Sequence, residues 1–263
     1  MRSKFSHKKL IVFDLDGTLT ETKSNLTPDV NRVLVELLKK KRVAIIGGGM
    51  YEQFRRQFVS RFACPPSLLP RLFLFPTTAT SFYRYRHGWK KVYRKELSRA
   101  ERAQIKQAFK DVLREIHYVP PKKVYGKVIE DRGTQVTFSA LGQDIVAVLG
   151  ARGVALKKKW KKEKTFLKMK IARMMQKRLP RLGVGAAGFT SVDVTRRGID
   201  KAYGIRQMEK VLSIPIKDMV FIGDALYVGG NDYAVKRTGV DWIAVAGPAD
   251  AKKVIRGILG DSG

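Results

Sequence analysis

LIVFDLDGTL, residues 10–19, decides how this chain is to be read. An apolar run long enough for a buried strand of a parallel sheet ends in two carboxylates, Asp14 and Asp16, and turns at Gly17. Two acids at the end of a buried strand lose hydration and repel each other, so a metal ion, a basic partner or a raised pKa must compensate. Magnesium with a phosphorylated substrate meets that demand. The plainer alternative is that Asp14 caps a helix and Asp16-Gly17 is a turn dipeptide. The rest of the chain bears on which applies.

Downstream, Thr27-Pro28-Asp29 opens a helix with Val30, Val33, Leu34, Leu37 and Leu38 at helical spacing, and Arg42 to Ile46 is a second apolar strand stopped by Gly47, Gly48 and Gly49. A strand, helix, strand unit of this kind is right-handed in a parallel sheet. A helix over Met50 to Phe62 and a strand over Leu72 to Phe75 follow. From Ser81 to Gly183 the character changes, with 28 Lys and Arg against 8 Asp and Glu. This stretch predicts a hairpin around His87-Gly88, a helix from Arg99 to His117 capped by Ser98, a strand from Gln135 to Ala140 and a helix from Lys164 to Lys177. Beyond it come a strand at Val192 to Thr195, a helix at Lys201 to Leu212, and a buried strand at Met219 to Ile222 that ends in Gly223-Asp224. A strand at Trp242 to Val245 and a helix at Ala249 to Leu259 complete the pattern. The core is thus expected to be discontinuous, with a basic insert.

The 263 residues, 44% of them hydrophobic, suffice for a substantial core, but the net charge of +30 is extreme. Such charge either draws polyanions, with non-specific nucleic-acid binding as the expected outcome, or keeps the protein soluble. It is spread over Lys39 to Arg42, Arg55-Arg56, Arg99 to Arg114 and the run KKKWKKEK at 157–164, where Trp160 could stack on a base or simply pack. A nucleic-acid site is usually a patch or stripe. Diffuse placement looks more like deliberate supercharging, as in an engineered chain. A single cysteine, Cys64, excludes an intrachain disulfide and suits a reducing cytoplasm, and it reads as structural. No apolar stretch reaches the roughly 18 residues of a membrane span. The basic start MRSKFSHKKL has no separate apolar signal region. A cytoplasmic protein without membrane association is expected.

Two distant strands end in acids, FDLD at 13–16 and FIGD at 221–224, and in an open parallel sheet both sets lie beyond the strands' carboxyl ends. Asp14, Asp16, Asp224 and Asp232 together make a hard oxygen site suited to magnesium, and Lys201 can balance a phosphoryl group. At this point the chain resembles the haloacid dehalogenase superfamily of phosphatases and phosphomutases. DLDGT at 14–18 matches its nucleophile motif, GIDKAYGI at 198–205 its lysine motif, and GDALYVGGND at 223–232 its acidic magnesium motif. The resemblance implies an α/β fold, with a Rossmann-like parallel-sheet core over 1–80 and 184–263 and an inserted α/β cap over 81–183, of the C2B type. EDRGTQVTFSALGQ at 130–143 and TSVDV at 190–194 are similar to the phosphomannomutase branch and its sugar-phosphatase relatives.

By that resemblance Asp14 is the nucleophile that forms an aspartyl phosphate and Asp16 the general acid and base. Asp14, the Asp16 carbonyl and Asp224 would hold Mg2+, Asn231 and Asp232 would hold its water or Lys201, and Lys201 would orient the phosphoryl group. Arg132 and Gln143 would lie on the cap's substrate face, with Ser191 and Asp193 contacting sugar hydroxyls. The implied substrate is a small phosphate ester such as a sugar phosphate. Two departures stand out. The family's Ser or Thr at the end of the second strand is Gly47, whose amide, with that of Gly48, could bind phosphate as an anion nest, and Gln143 stands near where an arginine is expected. Apolar residues at Met50, Ile145, Val146, Phe189, Tyr227 and Val228 suggest a pocket for something less polar. The competing reading is therefore a catalytically impaired scaffold that binds polyanions, self-assembles or holds an apolar ligand.

Overall fold

The computed structural model describes residue 5 and residues 7–260, so most of the basic start (residues 1–4 and 6) lies outside the described residues. The described chain divides into two units, one running up to Arg94 and resuming at Asp200, the other Lys95–Ile199.

The first unit is built on strands β1 (Leu10–Asp14), β2 (Arg42–Ile46) and β3 (Leu72–Phe75), with helices α1 (Pro28–Lys40) and α2 (Tyr51–Gln57) in the connections. A single turn, α3 (Pro76–Ala79), leads into the hairpin β4 (Ser81–Tyr85) and β5 (Trp89–Arg94). The later segment adds α7 (Lys201–Leu212), β10 (Met219–Gly223), β11 (Asp241–Ala244) and α8 (Pro248–Leu259). Seven strands form one sheet in the order β11-β10-β1-β2-β3-β4-β5, parallel from β11 to β3 and antiparallel beyond.

Alternation along the strands loads both faces. Ile11, Phe13, Val43, Ile45, Leu72, Leu74, Val220 and Ile222 pack in one cluster with α1, α2 and α8, while Leu10, Val12, Ala44, Ile46, Phe73, Phe75, Met219 and Phe221 pack in another with Ile205 and Met208 of α7. At roughly 1.5–3 kcal/mol for each large side chain fully removed from water, this double burial sets the register of β1 and β10. Their carboxyl ends, and so Asp14 and Gly223, are thereby fixed side by side.

The second unit contains α4 (Arg99–Glu115), β6 (Ile129–Asp131), β7 (Val136–Ser139), α5 (Ile145–Leu149), α6 (Ala151–Arg178), β8 (Leu182–Ala187) and β9 (Ser191–Arg196). Its antiparallel sheet has the order β6-β7-β9-β8. Val136, Phe138, Val192 and Val194 face α4 and α6, so Thr137, Ser139, Ser191 and Asp193 line the opposite face.

Several boundaries differ from the sequence reading. The hairpin at 81–94 belongs to the core sheet because β4 pairs with β3, where it covers an edge that would otherwise leave backbone groups unpaired. Residues 184–199 belong to the second unit because β8 and β9 pair with each other and β9 with β7. The helix expected from Met50 to Phe62 ends at Gln57 and continues as a 3-10 turn. α6 starts at Ala151, well before Lys164, and its helical geometry breaks at Lys164. Lys157 and Trp160 are buried within it, so the KKKWKKEK run is not wholly a solvated face and Trp160 packs in the core. Burial pushes the Cys64 thiol up, consistent with an inert structural role. Among the described residues no helix is long and apolar enough to cross a membrane.

α4 begins with a capping box, in which the Ser98 hydroxyl accepts from the Glu101 amide at 3.1 Å and the Glu101 carboxylate accepts from the Ser98 amide at 2.6 Å. Ser98→Ala is expected to cost about 1 kcal/mol in urea unfolding.

Candidate active site

β1 delivers Asp14, which is 4% exposed, to the end of the core sheet. The Asp200 carboxylate caps α7 by accepting the Tyr203 amide at 2.9 Å, and this places Lys201 at the first helical position. The Lys201 ammonium lies 2.6 Å from the Asp14 carboxylate and also pairs with Asp232, itself fully buried. Asp232 is held from the other side by the Ala225 amide at 3.0 Å. Thr18 donates to Asp224 at 3.3 Å. Carboxylate oxygens of Asp14, Asp224 and Asp232 lie within 4.8 Å of one another.

This convergence depends on two glycines. Gly17 has φ +94°, and a Cβ there would lie 2.6 Å from Asp224 Oδ2; at Gly223 a Cβ would lie 2.3 Å from Asp232 Oδ2.

Three carboxylates surround one ammonium. Burial pushes the Asp14 carboxyl well above the ordinary range, an effect the Lys201 charge opposes and those of Asp232 and Asp224 reinforce. Asp224 is raised by burial and by Asp232. Burial works against the Lys201 ammonium, but Asp14 and Asp232 outweigh it and hold lysine's proton more tightly than usual. The surplus is negative, and the donors are hard oxygens. That donor set fits a magnesium ion.

Asp16 is placed differently. Its carboxylate is not in the cluster but accepts from the Lys23 amide at 2.6 Å and from the side chains of Gln57 at 2.7 Å and Gln53 at 3.3 Å. Asn231 is exposed on its loop. Gly47 and Gly48 follow β2, but the Gly47 amide donates to the Phe75 carbonyl at 3.3 Å, extending the β2–β3 ladder, so it is not turned to a phosphate. A Cβ at Gly47 would sit 3.2 Å from the buried Phe54 ring, a tight approach that a side chain could meet only with a small shift of that ring. Thr77, Thr78 and Ala79 take left-handed backbone angles, costing roughly 1–2 kcal/mol each. The Thr77 and Thr78 amides tie this turn to the carbonyls of Gly49 and Gly47.

In the second unit, Arg132 binds Glu130 at 2.7 Å through Nε and Gln143 at 3.0 Å through Nη2. Asp193 accepts from Thr137 at 2.7 Å, and Ser191 lies on the same face of β9. Buried Lys168 donates to the Gly188 carbonyl at 2.9 Å, and burial, aided by Lys161, pushes its ammonium down to about 8 against the pull of Asp193. The apolar-pocket expectation does not hold for Ile145 and Val146, which are buried in this unit's own core. Tyr227 and Val228 are exposed. Sequence reasoning missed Gln53 and Gln57, whose spacing of four on a short helix was the available signal.

Raised carboxyls bind protons in the folded chain that the unfolded chain has released, so metal-free stability should fall as pH rises from the ordinary carboxylate range toward the raised values. Magnesium competes with those protons. Its increment in Tm, from a stabilisation of about 2.7 kcal/mol at a hundredfold excess over Kd, should therefore be larger near neutral pH than in mild acid when followed by thermal melts. Gly47→Ser should lower stability by about 1–3 kcal/mol in denaturant titrations, because the Phe54 ring must give way.

A family model described as eukaryotic phosphomannomutase matches residues 30–261. The chain is 25% identical to a probable phosphomannomutase of Caenorhabditis elegans, over 98% of each protein. It is 26% identical to the phosphomannomutase of Encephalitozoon cuniculi, over 94% of this chain and 92% of that one. Its fold is similar to that of C-terminally truncated Plasmodium falciparum IMP-nucleotidase, with a TM-score of 0.69 at 16% identity over 98% of this chain and 73% of that chain. It is also similar to trehalose-6-phosphate phosphatase of Aspergillus fumigatus, with a TM-score of 0.53 at 15% identity over 97% and 93%. These matches lend no support to a supercharged, engineered origin or to nucleic-acid binding. Three ordered motifs, a carboxylate cluster around one buried lysine and a family match spanning most of the sequence agree: the chain belongs to the eukaryotic phosphomannomutase family of the haloacid dehalogenase superfamily.

Proposed function

We propose that this protein is a magnesium-dependent phosphatase acting on small phosphate esters, sugar phosphates foremost, through an aspartyl phosphate on Asp14. The observation that carries the reading is the pairing of Asp14 with Lys201 beside Asp224 and Asp232. A lysine held charged at 2.6 Å opposes the protonation that burial favours at Asp14, and it meets the negative oxygens of an arriving phosphoryl group. Asp232 holds Lys201 in place, and the Ala225 amide holds Asp232. Asp14, Asp224 and the main chain at Asp16 would hold magnesium, which when bound supplies charge neutralisation to the transferred group. Asp16 gives a proton to the leaving oxygen and later takes one from water.

Hydrolysis is favoured over the mutase activity named for the relatives. A mutase must receive a bisphosphorylated intermediate turned end for end, which calls for a free cationic fork away from the nucleophile. Here Arg132 is committed to Glu130 and Gln143, and Gln143 is uncharged where an arginine is expected. The sugar-phosphatase fold neighbours are consistent with this choice, as is the polar face carrying Ser191 and Asp193.

Phosphate release from a panel of hexose phosphates should require magnesium and fall to background in Asp14→Asn. Turnover no greater than that of Asp14→Asn across the whole panel would sink the reading.

A further inference from the structure

We infer that Gln53 and Gln57 are positioning residues that lock the Asp16 carboxylate and leave its Oδ2 as the oxygen that handles the proton, an inference that rests on the phosphoryl-transfer reading above.

The two side chains stand one helical turn apart on α2 and present their amides to the same carboxylate. Gln57 is 2% exposed, and its Nε2 reaches Asp16 Oδ1 at 2.7 Å and the Thr20 hydroxyl at 3.3 Å. Gln53 Nε2 reaches Asp16 Oδ2 at 3.3 Å and Gln57 Oε1 at 2.8 Å. A primary amide has two N–H donors, and both donors of each glutamine are matched by acceptors. Turning either amide over would set its oxygen against the carboxylate. The orientation of both is thus determined by the network itself.

The main chain supports the same arrangement. The Lys23 amide adds a second short bond to Asp16 Oδ1, at 2.6 Å. The Leu26 amide donates to the Gln57 carbonyl at 2.9 Å, which joins the end of α2 to the loop after Asp16. Gly49 makes room, since a Cβ there would lie 2.6 Å from Gln53 Cδ and 2.7 Å from its Oε1. The third glycine after β2 is therefore the space that lets Gln53 reach Asp16.

The bonding is unequal between the two oxygens. Oδ1 takes two short hydrogen bonds and Oδ2 one long one. In the first step an Asp14 oxygen bonds to phosphorus, the ester P–O bond breaks, and the proton on Oδ2 passes to the leaving oxygen. In the second, a water oxygen bonds to phosphorus, the Asp14–phosphorus bond breaks, and a water proton returns to Oδ2 as inorganic phosphate departs.

The test uses leaving groups that differ in their need for a proton. kcat/KM reports the steps through transfer to Asp14. A hexose phosphate needs its leaving oxygen protonated, whereas dinitrophenyl phosphate expels a stable anion. Gln57→Leu, close in shape and apolar in a buried position, should lose about 10²-fold in kcat/KM on the hexose phosphate, the lower end of what general acid catalysis supplies, and at most about a tenth of that factor on the dinitrophenyl ester. Asp16→Ala should show the same selectivity, more strongly. Gln53→Leu, half-exposed and safer for folding, should reproduce the selective loss at about 10-fold and decides the matter if Gln57→Leu does not fold. Equal losses on both esters, or none on either, would overturn the positioning role while leaving an active wild type intact. A wild type that turns over neither ester above Asp14→Asn removes the phosphoryl-transfer reading and this inference together.

Discussion

The Lys201 ammonium, set between Asp14 and Asp232 in a place that water scarcely reaches, is the interaction around which the first unit is arranged. Buried ion pairs contribute little net stability, because desolvation of the charges offsets their attraction. Removing one partner is another matter, since it strands a charge. The lysine therefore commits the surrounding structure: Asp200 must cap α7 so that Lys201 sits at its start, and Gly17 and Gly223 must lack side chains so that Asp224 and Asp232 can close in. With three carboxylates to one ammonium, the cluster keeps a negative surplus that a divalent cation and a phosphoryl group can share.

The glycine loop after β2 departs from the family pattern in a closely packed place. Gly47 lacks the expected hydroxyl, the Phe54 ring lies close beside it, and its amide serves the β2–β3 ladder. Gly49 leaves room for Gln53. α2 thus fills the loop from behind with an aromatic ring and reaches forward with two amides. The left-handed turn at Thr77 to Ala79 is bonded to the same loop, so its strain is borne where the loop backbone is most confined.

The second unit separates its chemistry by strand alternation. Valines and phenylalanine of β7 and β9 face the helices, and hydroxyls and Asp193 face away. Much of the chain's positive charge is carried by α4 and α6, yet Lys157 and Lys168 are buried rather than displayed to solvent. Charge counted from composition alone therefore overstates what the surface offers to a polyanion.

The sequence by itself determined the strands of the parallel sheet, the acids at the ends of β1 and β10, and the lysine at the head of α7. It did so because apolar runs, helix caps and turn glycines are local signals, readable within a few residues. It placed the hairpin at 81–94 in the insert and residues 184–199 in the core, because strand pairing is a contact between distant segments and composition is blind to it. Asp14 and Asp16 stand two residues apart, and in the sequence only the family resemblance gave them different roles. The tertiary structure decided their surroundings, turning Asp14 toward Lys201 and Asp16 toward the glutamines of α2, because which donors reach a carboxylate through space is not written in its neighbours along the chain.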